Sequence, residues 1–146
     1  MNTIYQTKVT ATGGRDGKVI SEDGVLDLNV RVPNAMGGQG GKYTNPEQLF
    51  AAGYAACFDS ALNHVARLKR QKITSKTTAT VGLQASDTEG FNIVVAIDVE
   101  IGGVDTRMAH ELLLKAHATC PYSKAIRNNV VVTLNLVDSK AIAYHE

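Results

Sequence analysis

The sequence predicts an α+β fold, and three features of the chain predict it. Short segments of alternating apolar and polar residues, separated by turns, occupy the first third of the chain. A long and almost wholly apolar helical segment follows, and further alternating segments surround a second helix after it. The order is strands, long helix, strands, helix, strand. This order contains no βαβ repeat, so no doubly wound sheet is expected.

The opening third is predicted to be a meander of three strands. Alternation of side chains indicates strands over residues 3–11, 18–20 and 26–32. Glycine-containing turns at residues 13–17 and 22–24 separate them. Residues 33–43, which contain four glycines, are predicted to form a loop.

The central helix has a strong start signal. Asn45 suits the N-cap, Pro46 the first helical position, and Glu47 the first turn, where an acid is favoured by the helix dipole. The helical pattern runs to about residue 72, and Gly53 is a candidate position for a break. Residues 49–61 are apolar nearly all round, which is typical of a helix covered on most sides. Because one small chain offers few strands to cover it, we expect a homodimer built around the central helices.

The second half is predicted to contain three strands and two helices. Strands are expected over residues 74–84 and 91–101, around a turn at 86–90. An amphipathic helix is expected from residue 105 to about 118, and Pro121 separates it from a short helical turn. A strand over residues 130–137 is expected to complete the fold.

Composition excludes several classes of protein. A chain of 146 residues and 15.6 kDa predicts one domain, residues 1–146. A net charge of +1, with acidic and basic residues interspersed, argues against nucleic-acid binding. Two cysteines are too few for a disulfide-stapled secreted scaffold. The first residues show no signal-peptide pattern, and no apolar run approaches the roughly 20 residues that cross a membrane. We therefore expect a soluble cytoplasmic protein with reduced thiols and no membrane partner.

Four residues are candidates for chemistry. Cys57 lies among Ala, Phe and Tyr residues, where a thiol is usually inert unless a neighbour holds it as a thiolate. Arg15, on a glycine-flanked turn, could supply the cation, and Glu47 could orient that arginine through a bidentate pair. Cys120 precedes Pro121 at the end of the second predicted helix. Each residue alone has an ordinary structural explanation, and their joint occurrence favours a redox site.

The spacing on the central helix predicts that these residues have separate roles. Ten positions separate Glu47 from Cys57, so on one unbroken helix they would lie roughly 15 Å apart. An arginine from the opening meander could reach between them. Lowering a thiol pKa raises the thiolate fraction but lowers the nucleophilicity of each thiolate, so ionisation alone gives only a few-fold gain. The larger expected role of Arg15 is therefore to position a substrate and stabilise the negative charge that develops on it.

The segment from Asn45 to Tyr54, the run Cys120-Pro121-Tyr122-Ser123 and the Gly-Arg turn together resemble the organic hydroperoxide resistance proteins. These form the Ohr branch of the Ohr/OsmC family of thiol peroxidases. The resemblance implies an Ohr/OsmC-like fold, with antiparallel sheets packed around a long buried central helix in an intertwined homodimer. It also implies active sites at the subunit interface.

The resemblance further implies the site roles. Cys57 would be the nucleophile, Cys120 the resolving residue that forms a redox disulfide with it, and Arg15 and Glu47 the remaining catalytic group. The implied substrate is an organic hydroperoxide, reduced without a cofactor or metal. A lipoylated protein or small dithiol is the implied reductant.

Apolar neighbours of Cys57 are candidates for a substrate pocket that would favour alkyl or lipid hydroperoxides. They are Phe50, Tyr54 and Phe58, of which some must belong to the core. The alternative function is a non-catalytic thiol redox sensor or small-ligand binding module on the same fold. Such a protein would not need Arg15 and Glu47 together.

Two other patterns carry less weight. Residues 37–44 faintly resemble a phosphate-binding loop, but Met36 replaces its first glycine and Tyr43 its Ser or Thr. His110 and His117 are seven positions apart on one helix face, with Cys120 following, which is a minor candidate for a transition-metal site.

Overall fold

The structure, a computed structural model, describes residues 1–137. The chain forms two compact units, one comprising Met1–Leu49 and the other beginning at Phe50. The expected single domain over residues 1–146 stays a prediction.

The first unit contains a three-stranded antiparallel sheet in the order β1–β2–β3. Its strands are β1 (Val9–Thr12), β2 (Lys18–Ser21) and β3 (Asp27–Asn29). The predicted meander is confirmed, but the first and third strands are shorter than expected. Strand β2 has four residues, and all four pair with β1, so the residues before Val9 find no partner on it. Two short 3₁₀ helices, Gly14–Asp16 and Asn34–Met36, interrupt the loops.

The central helix α1 (Pro46–Leu68) begins where the start signal places it. The Asn45 side-chain oxygen accepts a hydrogen bond from the Gln48 amide at 2.9 Å, which is an N-cap contact. The helix continues unbroken through Gly53. It ends at Leu68, before the predicted end, and Arg70 then adopts a left-handed conformation with φ 55°.

The second unit contains a three-stranded sheet in the order β4–β5–β6. Strands β4 (Thr74–Ser86) and β5 (Gly90–Gly102) form a long antiparallel hairpin, and β6 (Val132–Val137) pairs with β5 in parallel. The expectation of antiparallel sheets is therefore wrong for this last pair. The reason is that two helices connect β5 to β6, and such a crossover brings the chain back in the same direction.

Those two helices are α2 (Thr106–Thr119) and α3 (Pro121–Ile126). The Asp105 side chain caps α2 by accepting a hydrogen bond from the Met108 amide at 2.8 Å. Among residues 1–137, no helix is long and apolar enough to span a membrane.

The core of the second unit is formed by one face of α1, the inner face of β5 and the buried face of α2. Its members are Tyr54, Phe58, Ala61, Leu62, Val65, Ala66, Val95, Ile97, Val99, Ile101, Ala109, Leu112, Leu113, Ala116 and Cys120. On the opposite face of α1, Ala52 and Ala56 are exposed. The helix is therefore less completely covered within one chain than its apolar sequence predicts.

Candidate active site

The turn that carries Arg15 is built from glycines. Gly13 and Gly14 both have positive φ angles, 81° and 58°, which non-glycine residues rarely adopt. A Cβ atom on Gly17 would lie 1.8 Å from the Thr12 carbonyl oxygen, which no side chain can tolerate. The backbone therefore needs glycine at three positions around Arg15, and this need explains the glycine-rich sequence there.

Arg15 forms a bidentate ion pair with Glu47. Its Nη1 donates to Glu47 Oε2 at 2.9 Å, and its Nη2 donates to Oε1 at 2.6 Å. The Arg15 side chain is 37% exposed and that of Glu47 is 16% exposed. The hydrogen bonds to Arg15 lower the pKa of Glu47, and the same bonds raise the pKa of Arg15. Glu47 is therefore ionised at neutral pH and holds the plane of the guanidinium in a fixed orientation.

Cys57 and Cys120 lie beside each other, and both are free thiols. The end of α2 therefore lies against α1 at these two residues. Burial is the main reason that the pKa of the Cys57 thiol is raised, and the neighbouring Cys120 side chain raises it further. A hydrogen bond from the Tyr122 backbone amide acts in the opposite direction. Within the second unit, Cys57 is thus a partly buried thiol held against a second thiol.

Cys120 occupies the junction between α2 and α3. Its own amide bonds to the Ala116 carbonyl at 2.8 Å, and its carbonyl accepts from the Lys124 amide at 3.0 Å. Its ψ of 123° is extended because a residue before proline is disfavoured in the helical region. The Cys-Pro sequence thus ends one helix, starts the next and fixes the backbone of a completely buried cysteine between them.

An aromatic cluster lies one turn from Cys57. The Tyr122 ring is 5.7 Å from that of Tyr54 and 6.4 Å from that of Phe50, measured between centroids. Gly53 makes this approach possible, because a Cβ there would lie 2.6 Å from the Tyr122 hydroxyl oxygen. Tyr122 and Gly53 are far apart in the sequence, so local sequence patterns did not predict their contact.

The three predicted pocket residues differ in burial. Tyr54 and Phe58 are completely buried members of the core, whereas Phe50 is only partly buried at its margin. Tyr54 and Phe58 therefore serve packing within the second unit. Phe50 stays the predicted substrate contact.

A hydrogen-bonded group of polar side chains, which the residue patterns did not indicate, lies beside the cysteines. Ser123 Oγ lies 2.6 Å from the Tyr54 hydroxyl and 2.9 Å from His117 Nδ1. Arg127 donates to the His117 carbonyl at 2.8 Å. Burial, followed by the charge of Arg127, lowers the pKa of His117, so its ring is neutral at pH 7. The available signal was spacing, since His117 and Ser123 each lie three positions from Cys120.

The candidate metal pair does not assemble a cluster in the structure. His110 is exposed, and His117 is bonded to Ser123. Over residues 1–137 there is no group of three or more His, Cys, Asp or Glu side chains that could hold a metal ion.

The site residues divide between the two units. The Arg15–Glu47 ion pair belongs to the unit Met1–Leu49, and the two cysteines belong to the unit that begins at Phe50. The first group offers a permanently charged and rigidly held guanidinium. The second offers two thiols close enough to react with each other.

Comparison with known proteins places the chain in a family. The OsmC-like protein family matches residues 38–135. The organic hydroperoxide resistance protein OhrA of Bacillus subtilis is 47% identical over 137 residues, covering 92% of this chain and 97% of OhrA. OhrB of the same organism is 50% identical over 134 residues, covering 91% and 98% respectively. A crystal structure of an organic hydroperoxide resistance protein from Legionella pneumophila superposes with a TM-score of 0.89 at 46% identity, covering 92% of this chain and 98% of that one. The chain therefore belongs to the OsmC-like family, in its organic hydroperoxide resistance branch.

Proposed function

We propose that this protein is a cysteine-based peroxidase that reduces organic hydroperoxides to alcohols. The observation that carries the proposal is the contact between two free thiols, Cys57 and Cys120, in a chain whose relatives are named organic hydroperoxide resistance proteins. A thiol that is only core filling does not require a second thiol against it.

In the first step, the Cys57 thiolate attacks the distal oxygen of the hydroperoxide. The O–O bond breaks, an S–O bond forms, and the departing alkoxide takes a proton to leave as the alcohol. The sulfur loses two electrons and becomes a sulfenic acid. Because burial raises the pKa of Cys57, the thiol form predominates unless a cation favours the thiolate.

Arg15 is our proposed source of that positive charge. Its guanidinium is charged at all relevant pH values, and the bidentate contact with Glu47 leaves it little rotational freedom. A fixed cation can stabilise both the thiolate and the negative charge that develops on the leaving oxygen. Glu47 is the positioning residue for this cation.

In the second step, Cys120 condenses with the Cys57 sulfenic acid. The Cys120 sulfur forms the S–S bond, and the sulfenic oxygen leaves as water. A dithiol then reduces the disulfide and regenerates both thiols. We propose a lipoylated protein or small dithiol as the reductant, in a reducing compartment such as the cytoplasm, where both cysteines would otherwise stay free.

We further propose that the working unit is a homodimer. The exposed face of α1 carries Ala52 and Ala56, small apolar residues that another helix could approach closely. Organic substrates would contact the partly exposed rings of Phe50 and Tyr122.

The test is consumption of cumene hydroperoxide with dihydrolipoamide as the reductant. We expect many turnovers per subunit from the parent and none from Cys57→Ser. Ser60→Ala, an exposed substitution on the same helix, is the control that should keep full activity. A parent that consumes at most one equivalent would instead support the non-catalytic sensor. Activity retained in Cys57→Ser would show that the nucleophile is wrongly assigned.

A further inference from the structure

Tyr54, Ser123 and His117 form a hydrogen-bonded chain that connects α1, α2 and α3. Tyr54 is on α1, Ser123 on α3 and His117 in the last turn of α2. Ser123 is 1% exposed and Tyr54 is completely buried. These hydrogen bonds lie inside an otherwise apolar core, where an unpaired hydroxyl group would destabilise the fold.

The direction of these hydrogen bonds depends on which nitrogen of the neutral His117 ring carries the proton. When Nδ1 is unprotonated it accepts, so Ser123 donates to His117 and Tyr54 donates to Ser123, whereas the other tautomer reverses both bonds. Both hydroxyl groups have a partner in either arrangement, and across residues 1–137 no buried side-chain nitrogen or oxygen is left unsatisfied. A satisfied buried network of this kind fixes the relative positions of the elements that carry it.

The three hydrogen-bonded residues lie close to both cysteines in the sequence. Tyr54 is three residues before Cys57 on α1 and so lies one turn away on a neighbouring part of the same face. His117 is three residues before Cys120 and Ser123 is three residues after it. The hydrogen bonds therefore tie the chain segments on both sides of Cys120 to the helix that carries Cys57.

We propose that Tyr54, Ser123 and His117 are positioning residues for the resolving step: they hold Cys120 against Cys57 and so set the rate at which the disulfide closes. This inference rests on the proposed function, because it requires a Cys57 sulfenic acid. The side-chain hydrogen bonds of these residues join them to one another. Their effect is geometric, and a displacement of about 1 Å can slow a reaction by as much as a hundredfold.

The inference is testable because the sulfenic acid has two competing fates. Cys120 can close the disulfide and release water, or a second hydroperoxide can oxidise Cys57 to sulfinic acid and leave as alcohol. Only the second fate depends on hydroperoxide concentration. The concentration at which half of the chains are over-oxidised in one turnover is therefore the ratio of the closure rate constant to the over-oxidation rate constant.

The matched variants are Ser123→Thr and Ser123→Val. Both add one methyl-sized group to the same buried site and have nearly the same shape, but only threonine retains the hydroxyl. We expect the half-over-oxidation concentration for Ser123→Val to fall at least about tenfold below that for Ser123→Thr. The rate of first oxidation of Cys57 should agree within about twofold between the two variants. Mass spectrometry after graded cumene hydroperoxide measures both.

Three further variants complete the experiment. Repeating the Thr and Val pair in a Cys120→Ser background measures the over-oxidation rate alone, which should not differ between them. Thr119→Val removes an exposed hydroxyl beside Cys120 that donates to the Lys115 carbonyl, and it should leave the half-over-oxidation concentration unchanged. Tyr54→Phe removes the other end of the chain and should lower that concentration even if neither Ser123 variant folds.

Equal half-over-oxidation concentrations for the Thr and Val variants, with Tyr54→Phe at the parental value, would overturn the inference. So would a Val variant that slows the first oxidation as much as closure, because that pattern indicates general damage to the core. A parent in which hydroperoxide adds no oxygen to Cys57 and forms no disulfide would instead refute the proposed function. The two failures are therefore distinguishable.

Discussion

Replacing Gly53 by alanine tests whether the position of the Tyr122 ring requires a residue without a side chain at position 53. The new Cβ would lie 2.6, 3.1 and 3.2 Å from the Tyr122 Oη, Cζ and Cε2 atoms, whereas carbon contacts are favourable at about 3.5–4.0 Å. The ring must therefore move by about 1 Å. Overpacking of this kind costs about 2 kcal/mol, and the better helix propensity of alanine offsets about 1 kcal/mol of it. We expect a net loss of about 1 kcal/mol in the free energy of unfolding.

Urea denaturation followed by circular dichroism, at one fixed protein concentration, measures this loss. A comparison of His110→Ala with His110→Gly, at an exposed position inside α2, isolates the helix-propensity difference between alanine and glycine, which should be about 1 kcal/mol. In a Tyr122→Phe background the shortest contact is absent, so Gly53→Ala should cost about 1 kcal/mol less than in the parent. Stabilisation of the parent by Gly53→Ala, without coupling to Tyr122→Phe, would refute the proposed packing.

The contacts of Arg15, His117 and Asp105 each predict a measurable effect of substitution. Arg15→Ala should abolish hydroperoxide turnover, and raising the pH should not restore it, because a more abundant thiolate still lacks the cation for the leaving oxygen; full recovery at high pH would limit Arg15 to a pKa role. The same variant should change the unfolding free energy by about 1 kcal/mol or less, because the pair with Glu47 is partly exposed. His117 has a lowered pKa, so its contribution to stability is present above about pH 6.5 and is lost as the pH falls below that value. In His117→Asn, the urea midpoint should therefore depend less on pH below about 6.5 than it does in the parent. Parallel dependences of the urea midpoint on pH would contradict the assignment. Asp105→Ala should cost about 1 kcal/mol through the lost cap of the Met108 amide, whereas an unchanged urea midpoint would show that the cap is dispensable.

Local signals predicted the elements well where the physical cause is itself local. The start of α1 follows from the Asn45 cap and Pro46, and the start of α2 follows from the Asp105 cap. The opening meander follows from alternating side chains and glycine turns. The end of α1 was less predictable, because residues 69–72 are good helix formers although the backbone turns at Arg70.

Contacts between distant parts of the chain account for what the sequence did not predict. The parallel pairing of β6 with β5 depends on where the α2–α3 crossover returns the chain. The bond between Tyr54 and Ser123 joins residues 69 positions apart, and neither residue type indicates such a partner. For the same reason, the sequence did not predict that Tyr54 would be completely buried and Phe50 only partly buried. Both are aromatic neighbours of Cys57 in the sequence.

The candidate site was predicted by the chemistry of its residue types together with the family resemblance. Arg15 and Glu47 pair across 32 positions, a contact for which spacing alone gives no indication. The raised pKa of Cys57 was not predicted, because it depends on how deeply the folded chain buries the thiol. In the proposed mechanism, the Arg15 cation offsets this raised pKa and also acts on the leaving oxygen.

The most direct test of the central claim is the mass of the protein after one equivalent of cumene hydroperoxide. We expect the parent to lose two hydrogens, with a Cys57–Cys120 disulfide located by peptide mapping. Cys120→Ser should instead gain one oxygen at Cys57, and excess oxidant should drive it on to sulfinic and sulfonic acid. A parent that retains oxygen on Cys57 while Cys120 stays a free thiol would contradict the resolving role. Oxygen added at neither cysteine would contradict the peroxidase itself.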